Sequence, residues 1–152
     1  MSETITFTCP LPPIALRRNR ETRSNGYRAA LIREYQEQVW CAFHARHVVP
    51  NDYGHDVSYC NTSQLRFKGG RGYPWERAKV TLTWRHHRAG PDEDNALASC
   101  KWLLDVLKAT GPRPLGIVVD DSAAHMTVSL TTEKVRRKED EGVIVTVERA
   151  HA

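Results

Sequence analysis

Four carboxylates in an Arg-rich chain, Asp92, Asp94, Asp120 and Asp121, stand where apolar segments end. Asp92 and Asp94 lie two apart at the junction of a strand and a helix, so an extended turn directs both to one side. Asp120 and Asp121 follow Ile117-Val118-Val119, and a sheet would bring their loop beside the first pair. Hard oxygens converging in this way repel one another until a cation balances them. Mg²⁺ or Mn²⁺ fits such a set when substrate phosphates complete the shell. Lys101 and Asp105 follow Asp94 by seven and eleven residues, spacings that fall within about 20° of one another on a helix. Lys101 therefore belongs to the stripe that begins at the acidic turn, where an ammonium stabilises charge developing on phosphate. Each feature also has a plain structural explanation. Asp-x-Asp-Asn caps helices, Asp-Asp is common in turns, and Lys101 with Asp105 makes an ordinary i,i+4 pair.

A phosphate-bearing partner agrees with the charge. The chain has 152 residues, a net charge of +4 and 22 basic residues, of which 16 are Arg. The planar guanidinium binds phosphate bidentately, whereas solubility alone is served equally well by Lys. Positive charge is concentrated early: Arg17, Arg18, Arg20, Arg23, Arg28 and Arg33 face one acid, Glu21, with Asn19 among them. This segment reads as a basic arm running into a helix, with Arg17, Arg18, Asn19, Arg20, Arg23 and Arg28 as candidate DNA contacts. The same run also suits a solvated helix face.

Length and composition bound the rest. One domain over residues 1–152 is expected. A mean hydropathy of −0.55 and 40% hydrophobic residues exclude a low-complexity disordered chain. No apolar run has the ~18 residues of a membrane span, and the start MSETITFTCPLPP has no basic segment leading into an apolar one. Neither export nor membrane insertion is expected. Cys9, Cys41, Cys60 and Cys100 are scattered with no C-x-x-C pair, so they read as reduced thiols in a cytoplasmic protein.

The positioning elements follow from periodicity. Thr4 to Cys9 alternates as a half-buried strand and ends at Pro10, Pro12 and Pro13. Leu31, Tyr35, Val39, Ala42 and Phe43 share one face of a helix from about Tyr27 to Arg46. Residues 51 to 75 form a long polar connection with Gly69, Gly70 and Gly72. Ala78, Val80, Leu82 and Trp84 alternate in a second strand that delivers the chain to the acidic turn. A single helix is expected next, with Leu97, Cys100, Leu104 and Leu107 buried and Asp94 or Asn95 as N-cap. Ile117-Val118-Val119 reads as a short buried strand or a strand-like entry that runs into Asp120-Asp121. Met126, Val128 and Leu130, then Val143, Val145 and Val147, mark two more strands around a charged turn from Lys134 to Gly142. The expected class is α/β (α+β): a mixed sheet with two helices on one face, in the order β-α-β-α-β-β.

The run D-E-D-N-A-L-A-S-C-K-W-L-L-D-V-L from Asp92 to Leu107, followed by G-I-V-V-D-D from Gly116 to Asp121, resembles the RusA family of Holliday-junction resolvases. That family carries an Asp-x-Asp-Asn turn, a helix with a Lys and a later Leu-Asp-x-Leu, and an Asp-Asp pair about 25 residues on. The resemblance extends to Pro12-Pro13 with Asn19 and to a closing hairpin ending in V-I-V-T-V-E, while its specific part is residues 92 to 121. It implies a homodimeric Mg²⁺- or Mn²⁺-dependent endodeoxyribonuclease that cuts four-way DNA junctions in recombination and repair. By motif position Asp92, Asp94 and Asp121 take the places of the metal-binding, catalytic acids, with Asp120 beside them, and Lys101 that of the catalytic lysine. In some members that lysine stands four residues past the second Asp, where this chain has Ala98. Here it stands about one helical turn further on. The 51–75 segment and the Gly-Pro-Arg-Pro stretch near Pro112 are longer than in compact members, so substrate preferences set by loops do not transfer.

Two other readings remain open: a branched-DNA-binding protein of the same fold that does not cut, and a nuclease for other branched or single-stranded DNA. Retained carboxylates, which repel phosphate, favour cutting over binding alone. Cys41, His44, His47, His55 and Cys60 lack the paired spacing of a zinc site. Trp40, Trp75, Trp84 and Trp102 are at scattered spacings that suit a core.

Overall fold

Four segments in which apolar residues alternate with Thr, Lys or Glu pair into one sheet. The computed structural model describes residues 4–17, 25–46, 74–109, 111 and 114–150. Strands β1 (Thr4–Cys9), β2 (Ala78–His86), β3 (Met126–Lys134) and β4 (Gly142–Arg149) stand in the order β1-β4-β2-β3. β4 runs antiparallel to both of its neighbours, whereas β2 and β3 are parallel, joined through the helical crossover that such a pair requires.

The register aligns Phe7, Val145, Leu82 and Leu130 in one row across all four strands, and these side chains are buried. One position along, Thr6, Thr146, Thr81 and Ser129 form the matching row on the opposite face. A period of two thus separates an apolar face from a hydroxyl-bearing one. Helix α1 (Asn25–Arg46) lays Tyr35, Val39 and Phe43 on the apolar face, with the Phe43 ring edge-on to Phe7 at 5.4 Å and 89°. Tyr35 Oη donates to the Pro10 carbonyl at 3.0 Å, tying α1 to the end of β1. Burial pushes the Cys9 and Cys100 thiols up to about 12 in this core, which keeps both protonated and unreactive.

The chain departs from the expected two-helix order. Where one helix was read, two seven-residue helices stand, α2 (Glu93–Ser99) and α3 (Lys101–Leu107), giving β-α-β-α-α-β-β with a 3₁₀ turn at Lys138–Asp140 before β4. The break has a local cause. Ser99 Oγ donates to the Asn95 carbonyl at 2.8 Å, the acceptor its own backbone N–H uses in an unbroken helix. Such back-bonding bends helices. Cys100 N–H then closes a tighter turn onto Leu97 O at 3.1 Å. The buried stripe shifts accordingly to Ala96, Ser99, Cys100, Leu103, Val106 and Leu107, leaving Leu97 and Leu104 partly covered.

Of the two readings of Ile117-Val118-Val119, the structure shows the strand-like entry and not a strand of the sheet. The segment makes isolated bridges only, Val118 with Trp75 and with Lys108. Its first two amides go elsewhere: Ile117 N–H and Val118 N–H donate to Leu107 O at 3.0 and 3.2 Å, and just before them Leu115 N–H donates to Val106 O at 2.7 Å. Helix α3 ends with orphan carbonyls, and this segment satisfies them instead of a ladder. Among the described residues no helix is long and apolar enough to cross a membrane.

Candidate functional site

The acidic turn after β2 is held by a cap. Asp92, with φ −68° and ψ 168°, is the N-cap of α2, and its Oδ1 accepts from Asn95 N–H at 2.8 Å. The cap is therefore Asp92 rather than Asp94 or Asn95, and Asp94 sits in the first turn, exposed. One Asp92 oxygen is spent on the helix and the other faces solvent. Asp92→Ala should lower stability by about 1 kcal/mol, whereas Asp92→Asn, which keeps the acceptor, should leave it nearly unchanged. Urea melts of the two variants separate this capping role from any loss of activity.

The second acidic group lies at the far end of the helix pair. In the last turn of α3 Asp105 is hydrogen-bonded to Asp121, and Lys108 Nζ stands 3.6 Å from Asp105 Oδ1 and 4.0 Å from Asp121 Oδ1. Asp121 is carried there by the segment that caps α3, since Val118 bridges Lys108 directly. Burial, with the hydrogen bond to Asp121, holds the Asp105 carboxyl above the usual carboxylate range. The same hydrogen bond, aided by Lys108, holds Asp121 below it. Of the two, Asp105 is therefore the one that holds a proton more readily and Asp121 the one that stays ionised to lower pH.

The two members pull stability in opposite directions with pH. Asp121, depressed in the folded state, contributes stability above the ordinary carboxylate pKa that is lost as pH falls through its lowered value. Asp105, raised in the folded state, contributes stability below the ordinary pKa that is lost as pH rises through its elevated value. Asp105→Asn retains a donor to Asp121 and has no proton to lose. It should abolish the decline on the alkaline side and leave the acid side in place. Urea midpoints from about pH 3 to about pH 8 give the test.

The structure does not bring Asp92 and Asp94 together with Asp120 and Asp121. Asp94 and Asp105 are separated by up to about 16 Å of helix rise, and no group of three His, Cys, Asp or Glu side chains among the described residues is placed to share a metal ion. Asp120 is partly buried next to Asp121. Lys101 is exposed, with Nζ 4.9 Å from the centroid of the Trp102 ring. The lysine beside the acids is Lys108. It is the site residue that sequence reading missed, and its i,i+3 spacing from Asp105, which was paired with Lys101 instead, was the available signal.

Of the basic arm, Arg18, Asn19, Arg20 and Arg23 lie outside the described residues, as does most of the 51–75 connection. Arg17 Nε donates to Pro12 O at 3.1 Å, and its guanidinium carbon lies 5.2 Å from the centre of the Trp84 ring. Arg28 stands 5.9 Å from the centre of the Trp102 ring. Both are engaged in cation–π contacts that still present their charge at the surface. Compared with family models, with curated proteins and with solved structures, the chain gives no significant match.

Proposed function

We propose that the protein is a metal-dependent, structure-selective endodeoxyribonuclease that cuts four-way DNA junctions as a homodimer in the cytoplasm. The observation that carries this reading is the Asp105–Asp121 pair, two carboxylates gathered about the Lys108 ammonium at 3.6 and 4.0 Å, at the end of the second of the two helices that follow Asp92-Glu93-Asp94-Asn95. Two carboxylates are a sufficient protein donor set for Mg²⁺ when water and substrate phosphate supply the remaining ligands. The pair fits such an ion in donor type and in charge, since both carboxylates already stand within 4.0 Å of one cation, the Lys108 ammonium.

When bound, the ion supplies neutralisation of the phosphodiester and a lowered pKa for an attacking water. Asp121 and Asp105 would hold it, with Asp120 alongside. Lys108, already within 4.0 Å of both carboxylates, would turn its ammonium toward phosphate once the ion satisfies the acids. Asp92 and Asp94 stand apart from this pair, at the start of α2, and only the resemblance, not the geometry, would assign them to the same reaction. Two equivalent sites related by a two-fold axis match the near symmetry of a four-way junction.

Incubation with a synthetic four-way junction, a linear duplex and a splayed arm, each with Mg²⁺ or with EDTA, tests the proposal. Paired cuts in the junction that need Mg²⁺ are expected. Binding without cutting would leave the non-cleaving DNA-binding reading, and preferential cutting of the splayed arm would leave the nuclease for other branched or single-stranded DNA.

A further inference from the structure

A second feature lies at the opposite end of β2 from the carboxylate pair. β2 ends at His86, and the chain folds back through His87, Arg88 and Gly90 to form one wall of a cleft of about 500 Å³. Trp84 lines it, Arg17 and Lys138 come from the turns before α1 and before β4, and Glu141 is the one carboxylate among the described lining residues.

The fold-back is sterically defined. A Cβ on Gly90 would stand 2.8 Å from the His86 ring, so only glycine lets the loop close over that imidazole. His86 Nδ1 in turn donates to the Arg88 carbonyl, fixing the loop on its own strand. Glu141 Oε1 is already engaged, accepting from the His87 backbone N–H at 3.2 Å. Against its one negative charge stand Arg17, Arg88 and Lys138, so positive charge is in excess around the opening.

Two buried nitrogens in this wall lack partners, and the first is a donor. Trp84 is fully buried, yet its indole N–H meets no hydrogen-bond partner in the structure, and neither does the buried Nδ1 of His87. Buried donors are nearly always paired, and an orphan calls for an explanation. A core tryptophan chosen for packing alone is replaceable by an apolar residue with no orphan donor. An unpartnered indole N–H in a cleft also lined by Arg17, Arg88 and Lys138 is suited to an oxygen acceptor that carries negative charge.

We infer that this cleft binds a phosphate group of a DNA strand, with Arg88 and Lys138 neutralising its charge, Arg17 stacked on Trp84, and the Trp84 indole donating to a phosphate oxygen. The source of the phosphate rests on the nuclease reading; the cationic lining and the orphan donor do not. A strand gripped here would continue past Pro91 toward Asp92 and Asp94, which directly follow the cleft wall.

The test is made on the full chain in EDTA, where cutting plays no part. Arg88→Ala with Lys138→Ala, two exposed positions, should weaken binding to a four-way junction by at least about tenfold. It should also reduce the slope of log K against log salt by about 2. Trp84→Phe, which keeps the ring and removes the N–H, should weaken binding several-fold with the salt slope unchanged. Inorganic phosphate, followed by Trp fluorescence, should compete with DNA for the wild-type protein and not for the double variant. Unaltered DNA affinity and salt slope in the double variant overturn the inference. So does phosphate binding that leaves DNA affinity untouched, which would assign the cleft to a free anion. A protein that grips DNA through this cleft and yet never cuts a junction in Mg²⁺ would refute the nuclease reading alone.

Discussion

Asp121→Asn is expected to lower Mg²⁺-dependent junction cleavage by on the order of 10³-fold, the several kcal/mol that a catalytic metal contributes to a phosphoryl transition state. The change is nearly isosteric, and the amide oxygen still accepts from Asp105, so the fold should survive. Junction binding in EDTA should be unchanged or tighter, because one negative charge near phosphate is removed. Asp94→Asn is expected to abolish cleavage similarly. Single-turnover cleavage of a labelled junction, with binding measured in parallel, checks both variants. Wild-type rates in Asp121→Asn would remove the carboxylate pair from the mechanism. Wild-type rates in Asp94→Asn, with Asp121→Asn inactive, would reduce the Asp92-x-Asp94 turn to helix capping.

Trp75→Ala should have the largest effect on stability. The Trp75 side chain is fully buried, and its backbone exchanges hydrogen bonds with the segment that caps α3: N–H to Ile117 O at 2.7 Å and O from Val119 N–H at 2.9 Å. The indole thus packs where β2, α3 and the approach to Asp121 meet. Removing it should cost about 3–5 kcal/mol, a large share of the roughly 5–15 kcal/mol that holds a domain folded. The melting temperature should fall by on the order of 10 °C. Trp75→Phe should recover most of the loss. Because the deletion loosens the segment that delivers Asp121, residual cleavage by the folded fraction should also fall. A loss under about 1 kcal/mol would mean that this junction tolerates a cavity.

The strand segments were legible because alternation is a local property: Val80, Leu82 and Trp84 point one way from Thr81 and Thr83 in any sheet of this kind. The long helix after Asp92 was read as one because Leu97, Cys100, Leu104 and Leu107 keep helical spacing across the break. Nothing in that spacing says whether the Ser99 hydroxyl points to solvent or back to Asn95 O. Ile117-Val118-Val119 admitted two readings for a related reason. Its β-branched character signals burial in extended backbone, but not whether its amides meet a strand or the carbonyls of Val106 and Leu107.

Of the site, the acidic residues were visible and their partners were not. Asp92 was singled out, but its cap became clear only with the helix start in place. Asp121 was singled out, but its neighbours Asp105 and Lys108 depend on the packing of Val118 against the end of α3. Trp84 was read as core, and it is core. That its indole N–H has no acceptor is a fact of three-dimensional surroundings, which no spacing rule reports.

The strand order has a temporal consequence. β1 pairs with β4 alone, with Thr4 opposite Glu148 and Cys9 opposite Val143. A nascent chain emerging at about 5–20 residues per second therefore carries β1 without its partner for roughly 10 to 30 s. During that wait Ile5 and Phe7, buried once the sheet closes, are exposed to solvent, to other chains and to chaperones. Closing so long a loop is also the slow kind of contact formation. Synthesis of β4 thus sets the earliest moment at which the sheet can be completed.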